Sequence, residues 1–336
     1  MNGLIVIILL FPFSTWAHLH TAYSHDGETN YRNADWMSGI NDNIPVRKIS
    51  ILGTHDTMAY QMELEGLFEK SVITQTLSLE TQLLAGIRAF DIRCRHIDDR
   101  FTIHHGDFYL KVNFDDVLQT MTKFLESHSK ETLLVRVKEE SSPSGNTRSF
   151  TDTFLYYKPK YSKIWDKTTD DPLLGNVRGK IVILVNFDCS SCGLSYESSF
   201  QIQDKYSLLT SWDLYDKWLS VKQHLIDANS NAASGSYMNY LSGSGGVFPY
   251  FVASGHSTYE TDANRMSTGL TTLGGKNSYP DFPRVNCFMG VCKIAFEGTN
   301  ILTYEYIRSQ KLKYVGIIMA DFPGDGLIDT IINLNY

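Results

Sequence analysis

Five short polar clusters in this chain each follow an apolar run, and their residue types suit one chemistry. Gly53-Thr54-His55-Asp56-Thr57 follows residues 49–52, and Asp91-Ile92-Arg93 ends the run 90–93. His104-His105-Gly106 follows 101–103, Lys138-Glu139-Glu140 follows 133–137, and Asp321 follows 316–320. Cleaving a phosphodiester with an internal hydroxyl needs a base for the attacking group, an acid for the leaving alkoxide and a fixed cation on the phosphate oxygens. His55 and His105 suit the two proton transfers, because imidazole titrates near neutrality. Arg93 suits the phosphate, because its planar fork binds two oxygens at once. Asp56, Asp91 and Asp321 supply carboxylates that would fix histidine tautomers and hold the guanidinium. Taken singly, each has a plainer reading: a structural histidine, a helix-capping aspartate, an Arg93–Asp91 ion pair, solvated Glu139 and Glu140. Five clusters at equivalent positions read as a site.

The elements that would carry them alternate. Strand-like runs cover 48–52, 89–93, 101–104, 132–137, 180–186, 237–241 and 314–320, rich in Ile, Val, Leu and Phe as strands buried in a parallel sheet are. Between them, 114–127 places Val117, Leu118, Met121, Phe124 and Leu125 on one helical stripe, and 213–229 reads the same way. This alternation suggests an α/β fold, a single parallel (β/α)8 barrel, in which chemistry collects at the C-terminal ends of the strands.

With 336 residues, 43% of them hydrophobic and 20% charged, the chain can bury a large core as one domain. A net charge of −7 argues against a nucleic-acid partner and means that membrane contact cannot rest on bulk positive charge. Residues 4–13 are almost wholly apolar and lead to Ala17, so 1–17 reads as a cleaved secretory signal peptide and the product as secreted and extracellular. Residues 18–35 are polar and expected to be flexible, leaving 36–336 as the catalytic domain. Export favours disulfides among Cys189, Cys192, Cys287 and Cys292 over a zinc site, with the pairing open and Cys94 left as a buried free thiol.

The segments ILGTHDTMAY, GIRAFDIRCR, IHHGDFYLKV, ETLLVRVKEE, RGKIVIL, QDKY and YVGIIMAD, in that order over about residues 36–325, resemble the bacterial-type phosphatidylinositol-specific phospholipases C. The resemblance implies a distorted TIM barrel acting on phosphatidylinositol, or on glycosyl-phosphatidylinositol anchors, in membranes. It makes His55 the general base oriented by Asp321, and His105 the general acid supported by Asp56. Arg93 holds the phosphate within a network that includes Asp91. The first product would be inositol 1,2-cyclic phosphate. Asp204, Tyr206 and Lys138 match inositol contacts, and Glu140 a glycan contact; a further family arginine falls at Asn186 here. The calcium-dependent relatives place a neutral amide after the first histidine and carboxylates where Arg93 and Lys138 stand, so the resemblance implies no metal and no cofactor, in a monomer.

A lipid substrate calls for an apolar rim. Phe68, with Leu64 and Leu67, and the loop carrying Val247, Phe248 and Tyr250 after Gly243–Gly246 are the expected membrane-interface residues, docking transiently. The same residues could instead cap the barrel. The alternatives are a metal-dependent glycerophosphodiester-type phosphodiesterase, discriminated by sensitivity to EDTA, and a catalytically silent inositol-lipid binding protein, discriminated by an activity assay.

Overall fold

The computed structural model describes residues 22–60, 71–258 and 264–336. Its strands in chain order are β1 (Ile51–Thr54), β2 (Ala89–Ile97), β3 (Arg100–His105), β4 (Phe108–Asn113), β5 (Thr132–Glu139), β6 (Lys180–Asn186), β7 (Leu194–Ser195) and β8 (Gln201–Gln203). They continue as β9 (Ser207–Leu208), β10 (Tyr237–Tyr240), β11 (Ser244–Gly245), β12 (Ser267–Thr271), β13 (Arg284–Phe288), β14 (Val291–Ala295) and β15 (Ile317–Ala320). The main sheet runs β7-β6-β5-β2-β1-β15-β10-β8, every neighbouring pair parallel. β7 and β8 do not pair with each other, so this is a distorted (β/α)8 barrel left open on one side.

The strands are buried on both faces, as a sheet wrapped in helices requires: β1, β10 and β15 are buried throughout. The helical stripe sits as the spacing predicts. Helix Phe114–Ser127 buries Phe114, Val117, Leu118, Met121, Phe124 and Leu125, and starts in a capping box between Asn113 and Asp116. The second expected helix spans Asp213–Ser230.

Two expectations change, and one open question closes. The run 101–104 is not a barrel strand: it lies in β3, antiparallel to β2, within an arm that continues β2 past the sheet and folds back through β3 and β4. Alternation of apolar residues does not encode strand direction, and a two-residue turn at Asp98-Asp99, both with positive φ, reverses the chain. Residues 22–35, expected to be loose, are pinned: Ala22 and Tyr23 are buried, Tyr23 bridges Pro323, and Arg88 donates to the carbonyls of Asn33 and Ala34. The disulfides pair locally, Cys189 with Cys192 and Cys287 with Cys292, and Cys94 is buried and free.

Candidate active site

His55 and Asp56 leave β1 in a turn that several side chains clamp. Asp56 has φ 41°, a left-handed conformation that aspartate tolerates better than most residues. Thr74 Oγ1 donates to the carbonyls of both His55 and Asp56, and Gln75 Nε2 donates to those of His55 and Ala320. The Asp56 amide donates to Asp91 Oδ2 at 3.2 Å. The turn is thereby tied to both neighbouring strands, and the two side chains diverge from one rigid point.

The His55 ring is fixed at both nitrogens. Nδ1 lies 2.8 Å from Asp321 Oδ1, while Arg93 Nη2 lies 2.7 Å from Nε2. A guanidinium can only donate, so Nε2 is the acceptor and Nδ1 carries the proton toward Asp321. That is the tautomer of a base. Asp321 is buried at the end of β15, and its backbone carbonyl accepts from Asn300. Burial raises its carboxyl above the usual value, only partly offset by His55.

Arg93 sits among three carboxylates. Its Nε and Nη2 donate to Asp91 Oδ2 at 3.2 and 3.1 Å, and Nη1 lies 3.6 Å from both Asp56 Oδ2 and Glu140 Oε1. Burial works against its charge, but Asp91, Asp56 and Glu140 more than compensate and raise its pKa. The arginine is a permanent cation with an exposed edge.

His105 reaches this group through the folded-back arm. Cys94 pairs with Ile103 in the antiparallel ladder, so the two residues after Ile103, His104 and His105, run back alongside Arg93 and Ile92. His105 Nδ1 is in ion-pair contact with Asp56 Oδ2. Gly106, at φ 56°, donates its amide to Glu140 Oε1 at 3.0 Å, which anchors the arm's tip to the residue just past β5. Burial would lower the His105 pKa, but the Asp56 carboxylate beside it overcomes this and raises it. Burial alone would raise the Asp56 carboxyl; Arg93 and His105 instead hold it low. His105 is therefore set up to hold a proton and His55 to take one.

The structure joins His55, Arg93, Asp56, Asp91, His105 and Asp321 into one chain of contacts, and adds Glu140 and Lys138. Glu140, unlike the exposed Glu139, is buried and accepts from Lys138 Nζ at 3.0 Å. Asp204 and Tyr206 stand apart, exposed on the rim just past β8, with the Tyr206 amide donating to the Asp204 carbonyl. The expected rim loop does not present its apolar residues. Tyr250 is buried, Val247 and Phe248 are half-buried against the core, and the Phe248 ring stacks on Tyr250 at 5.5 Å. Its glycines serve close packing, since a Cβ on Gly246 would lie 1.8 Å from the Leu209 carbonyl. Phe68, Leu64 and Leu67 lie outside the described residues.

Sequence reasoning missed Arg136. It lies on β5, two residues before Lys138 and hence on the same face. Its Nη1 donates to Asp91 Oδ1 and to the Tyr240 hydroxyl, both at 3.2 Å, and its Nε and Nη2 donate to Asn186 Oδ1 at 3.1 and 2.7 Å. Asp91, fully buried, is thus shared between two guanidiniums, and despite the cost of burial Arg93 and Arg136 drive its pKa far down. The signal available in sequence was a charged residue inside the otherwise apolar run 133–137.

Residues 43–187 match the family model described as phosphatidylinositol-specific phospholipase C, X domain. The 1-phosphatidylinositol phosphodiesterase of Listeria monocytogenes is 34% identical over 188 residues, which cover 54% of this chain and 57% of that protein, so the alignment spans a little over half of this relative's length. A protein of the same name from Staphylococcus aureus is 26% identical over 299 residues, covering 80% of this chain and 85% of the relative. Among solved structures, a phosphatidylinositol-specific phospholipase C from Listeria monocytogenes superposes with a TM-score of 0.64 at 24% identity, over 91% of this chain and 99% of the other. One from S. aureus does so at 0.66 and 22% identity, over 91% and 98%. At these identities the superpositions speak for the fold.

Proposed function

The chain belongs to the phosphatidylinositol-specific phospholipase C X-domain family, and on that premise we propose that it cleaves phosphatidylinositol by intramolecular attack. The relatives named above are 1-phosphatidylinositol phosphodiesterases. The observation that carries the reading is the Arg93 guanidinium, which contacts His55 Nε2 and also meets the Asp56 carboxylate that holds His105. A phosphate seated on Arg93 lies between a base and an acid.

In this reading His55 Nε2, freed from Arg93 when the phosphate takes that guanidinium edge, removes the proton of the inositol 2-hydroxyl. The alkoxide oxygen bonds to phosphorus as the bond to the glycerol oxygen breaks, and His105 donates its proton to the departing diacylglycerol. Inositol 1,2-cyclic phosphate is the first product, and its slow opening by water reverses the two histidine roles. Arg93 neutralises charge growing on the phosphoryl oxygens from within a preorganised ring of carboxylates. A guanidinium held there supplies the positive charge that a divalent ion would bring, so no metal or cofactor is required. Lys138, Asp204 and Tyr206 engage the inositol ring and Glu140 lines the same wall. Glycosyl-phosphatidylinositol carries the same headgroup bond and is a second substrate. Export and action as a monomer belong to this reading, and the two local disulfides fit an oxidising compartment.

Phosphorus NMR of the products from phosphatidylinositol in mixed micelles, with EDTA present, tests the reaction. The expected spectrum shows inositol 1,2-cyclic phosphate first and inositol 1-phosphate later. A first product that is acyclic, or a reaction abolished by EDTA, overturns the mechanism.

A further inference from the structure

Among the described residues, the sheet β12-β14-β13 lies off the barrel path and pairs with no strand of the main sheet. It falls between helix Pro249–Ser254 and helix Thr299–Gln310, in the connection leaving the C-terminal end of β10, the end at which His55 and Asp321 sit. Its tip presents Phe288 and Met289, 76% and 89% exposed, and Leu273 beside β12 is 81% exposed. Leu209 and Trp212 are also exposed, in the connection that leaves the same end of β8. Trp212 joins the two segments: its Nε1 donates to the Thr268 carbonyl and its ring packs edge-on against Phe296. Exposed apolar side chains thus stand on two segments that leave the C-terminal end of the barrel and are tied together through Trp212.

The tip is built for display. Phe288 pairs with Val291, and the two residues between them, Met289 and Gly290, both have left-handed φ, at 47° and 83°. This is a tight hairpin turn whose first central position favours Asn or Asp. Methionine stands there instead, in a conformation unfavourable to it, at the most exposed point of the hairpin. The Cys287–Cys292 disulfide closes the loop behind the tip, so the apolar pair is held out in advance of any contact and little order is lost on docking. The surround is basic within an acidic chain. From Phe282 to Phe296 the charged residues are Arg284 and Lys293, with no acid; Arg284 is spent on the carbonyls of Lys276, Ser278, Tyr279 and Phe282, so the exposed cation is Lys293. The nearby Asp281 is turned inward onto Trp218 Nε1 and Lys222 Nζ.

We propose that the disulfide-closed β13–β14 hairpin is a membrane-docking spike, seating Phe288 and Met289 in the interfacial layer of an anionic bilayer with Lys293 among the headgroups. An apolar point backed by an exposed lysine and no exposed acid of its own matches the boundary between acyl chains and anionic headgroups. A stable protein partner would need a far broader face, on the order of 800 Å². The inference rests on the reading of the substrate as a membrane lipid, because only then must the barrel mouth meet a bilayer.

The test uses vesicles of phosphatidylcholine and phosphatidylglycerol without any phosphatidylinositol, so binding is measured apart from cleavage. Sedimentation of the wild type should weaken by about tenfold or more in M289N, and further in the F288S/M289S pair. Binding of the wild type should also fall as salt is raised. M289N places a residue favoured by the turn, so its thermal midpoint should hold or rise. Hydrolysis of a soluble inositol phosphodiester should be unchanged in both variants. Unaltered vesicle binding in both overturns the proposal. So does a wild-type dimer that M289N converts to monomer with binding intact, which would assign the tip to a second copy. If the wild type binds and M289N does not, yet neither cleaves phosphatidylinositol, docking stands and the catalytic reading fails.

Discussion

Replacing Asp56 by Asn isolates one charge in the site. Asparagine keeps the shape and tolerates the left-handed backbone that Asp56 adopts at φ 41°, so the turn should survive. What disappears is the negative charge against His105. Burial and the Arg93 cation both lower the His105 pKa; Asp56 and, less strongly, Glu140 raise it. With Asp56 neutral, the two lowering influences face Glu140 alone, and the pKa of His105 moves from above the ordinary histidine value to below it. Loss of an opposite charge at this separation moves a titration by about one to three pH units. The protonated fraction above the new pKa then falls by about ten- to a thousandfold, or about 1.4 to 4 kcal/mol. On the proposed mechanism His105 must be protonated to donate, which makes the alkaline limb of kcat/KM its deprotonation. In D56N that limb should move to lower pH by one unit or more, and part of the activity lost at pH 7.5 should return at pH 5.5. The assay is a pH profile on a soluble inositol phosphodiester, which removes membrane binding from the measurement. An alkaline limb that stays in place while the rate drops equally at every pH would refute the reasoning, because Asp56 would then act through Arg93 or the turn.

Two further perturbations probe the groups around the site. R136M leaves the buried Asp91 with one cation and Asn186 Oδ1 without its donor; unfolding in urea should show a loss of about 3 kcal/mol, which R136K restores only in part because an ammonium lacks the fork, and wild-type stability in R136M would dismiss the role. Lys217 donates to the Tyr240 carbonyl from a fully buried position, and burial lowers its pKa to about 7. Between that value and the unfolded value near 10.4, the folded protein holds fewer protons than the unfolded chain, so stability should rise with pH from 7 toward 9 by up to about 1.4 kcal/mol per unit. K217M should flatten that rise, and parallel curves for the two proteins would show that Lys217 does not titrate there.

Much of the site was legible because it is written in short contiguous runs. Gly53–Thr57, Asp91–Arg93, His104–Gly106 and Asp321 each stand at the end of an apolar stretch; parallel barrel strands bring the first, second and fourth together regardless of the helices between them, while the third arrives on the antiparallel arm. The stripe over 114–127 likewise needed only the helical period to show its buried face. Residues read from long-range packing fared differently. Val247, Phe248 and Tyr250 look like a rim in sequence, yet Gly246 packs so closely on the Leu209 carbonyl that the loop is drawn down and its rings cap the core.

What the sequence by itself determined is the inventory and part of its grouping: which side chains could move protons, which could hold a phosphate, and that parallel strands would bring His55, Arg93 and Asp321 to one end. The tertiary structure alone decided how they are wired. That β3 runs backward and delivers His105 to Asp56, that Arg136 shares Asp91 with Arg93, and that Thr74 and Gln75 clamp the His55–Asp56 turn are facts of pairing between distant segments. The same holds for Phe288 and Met289, whose apolar character is plain in sequence but whose exposure is not. Hydrophobic periodicity is fixed by each segment's own face toward the core. Direction, register and the partner of a buried charge are fixed by which other segment comes to lie against it, and that information exists only once the chain has folded.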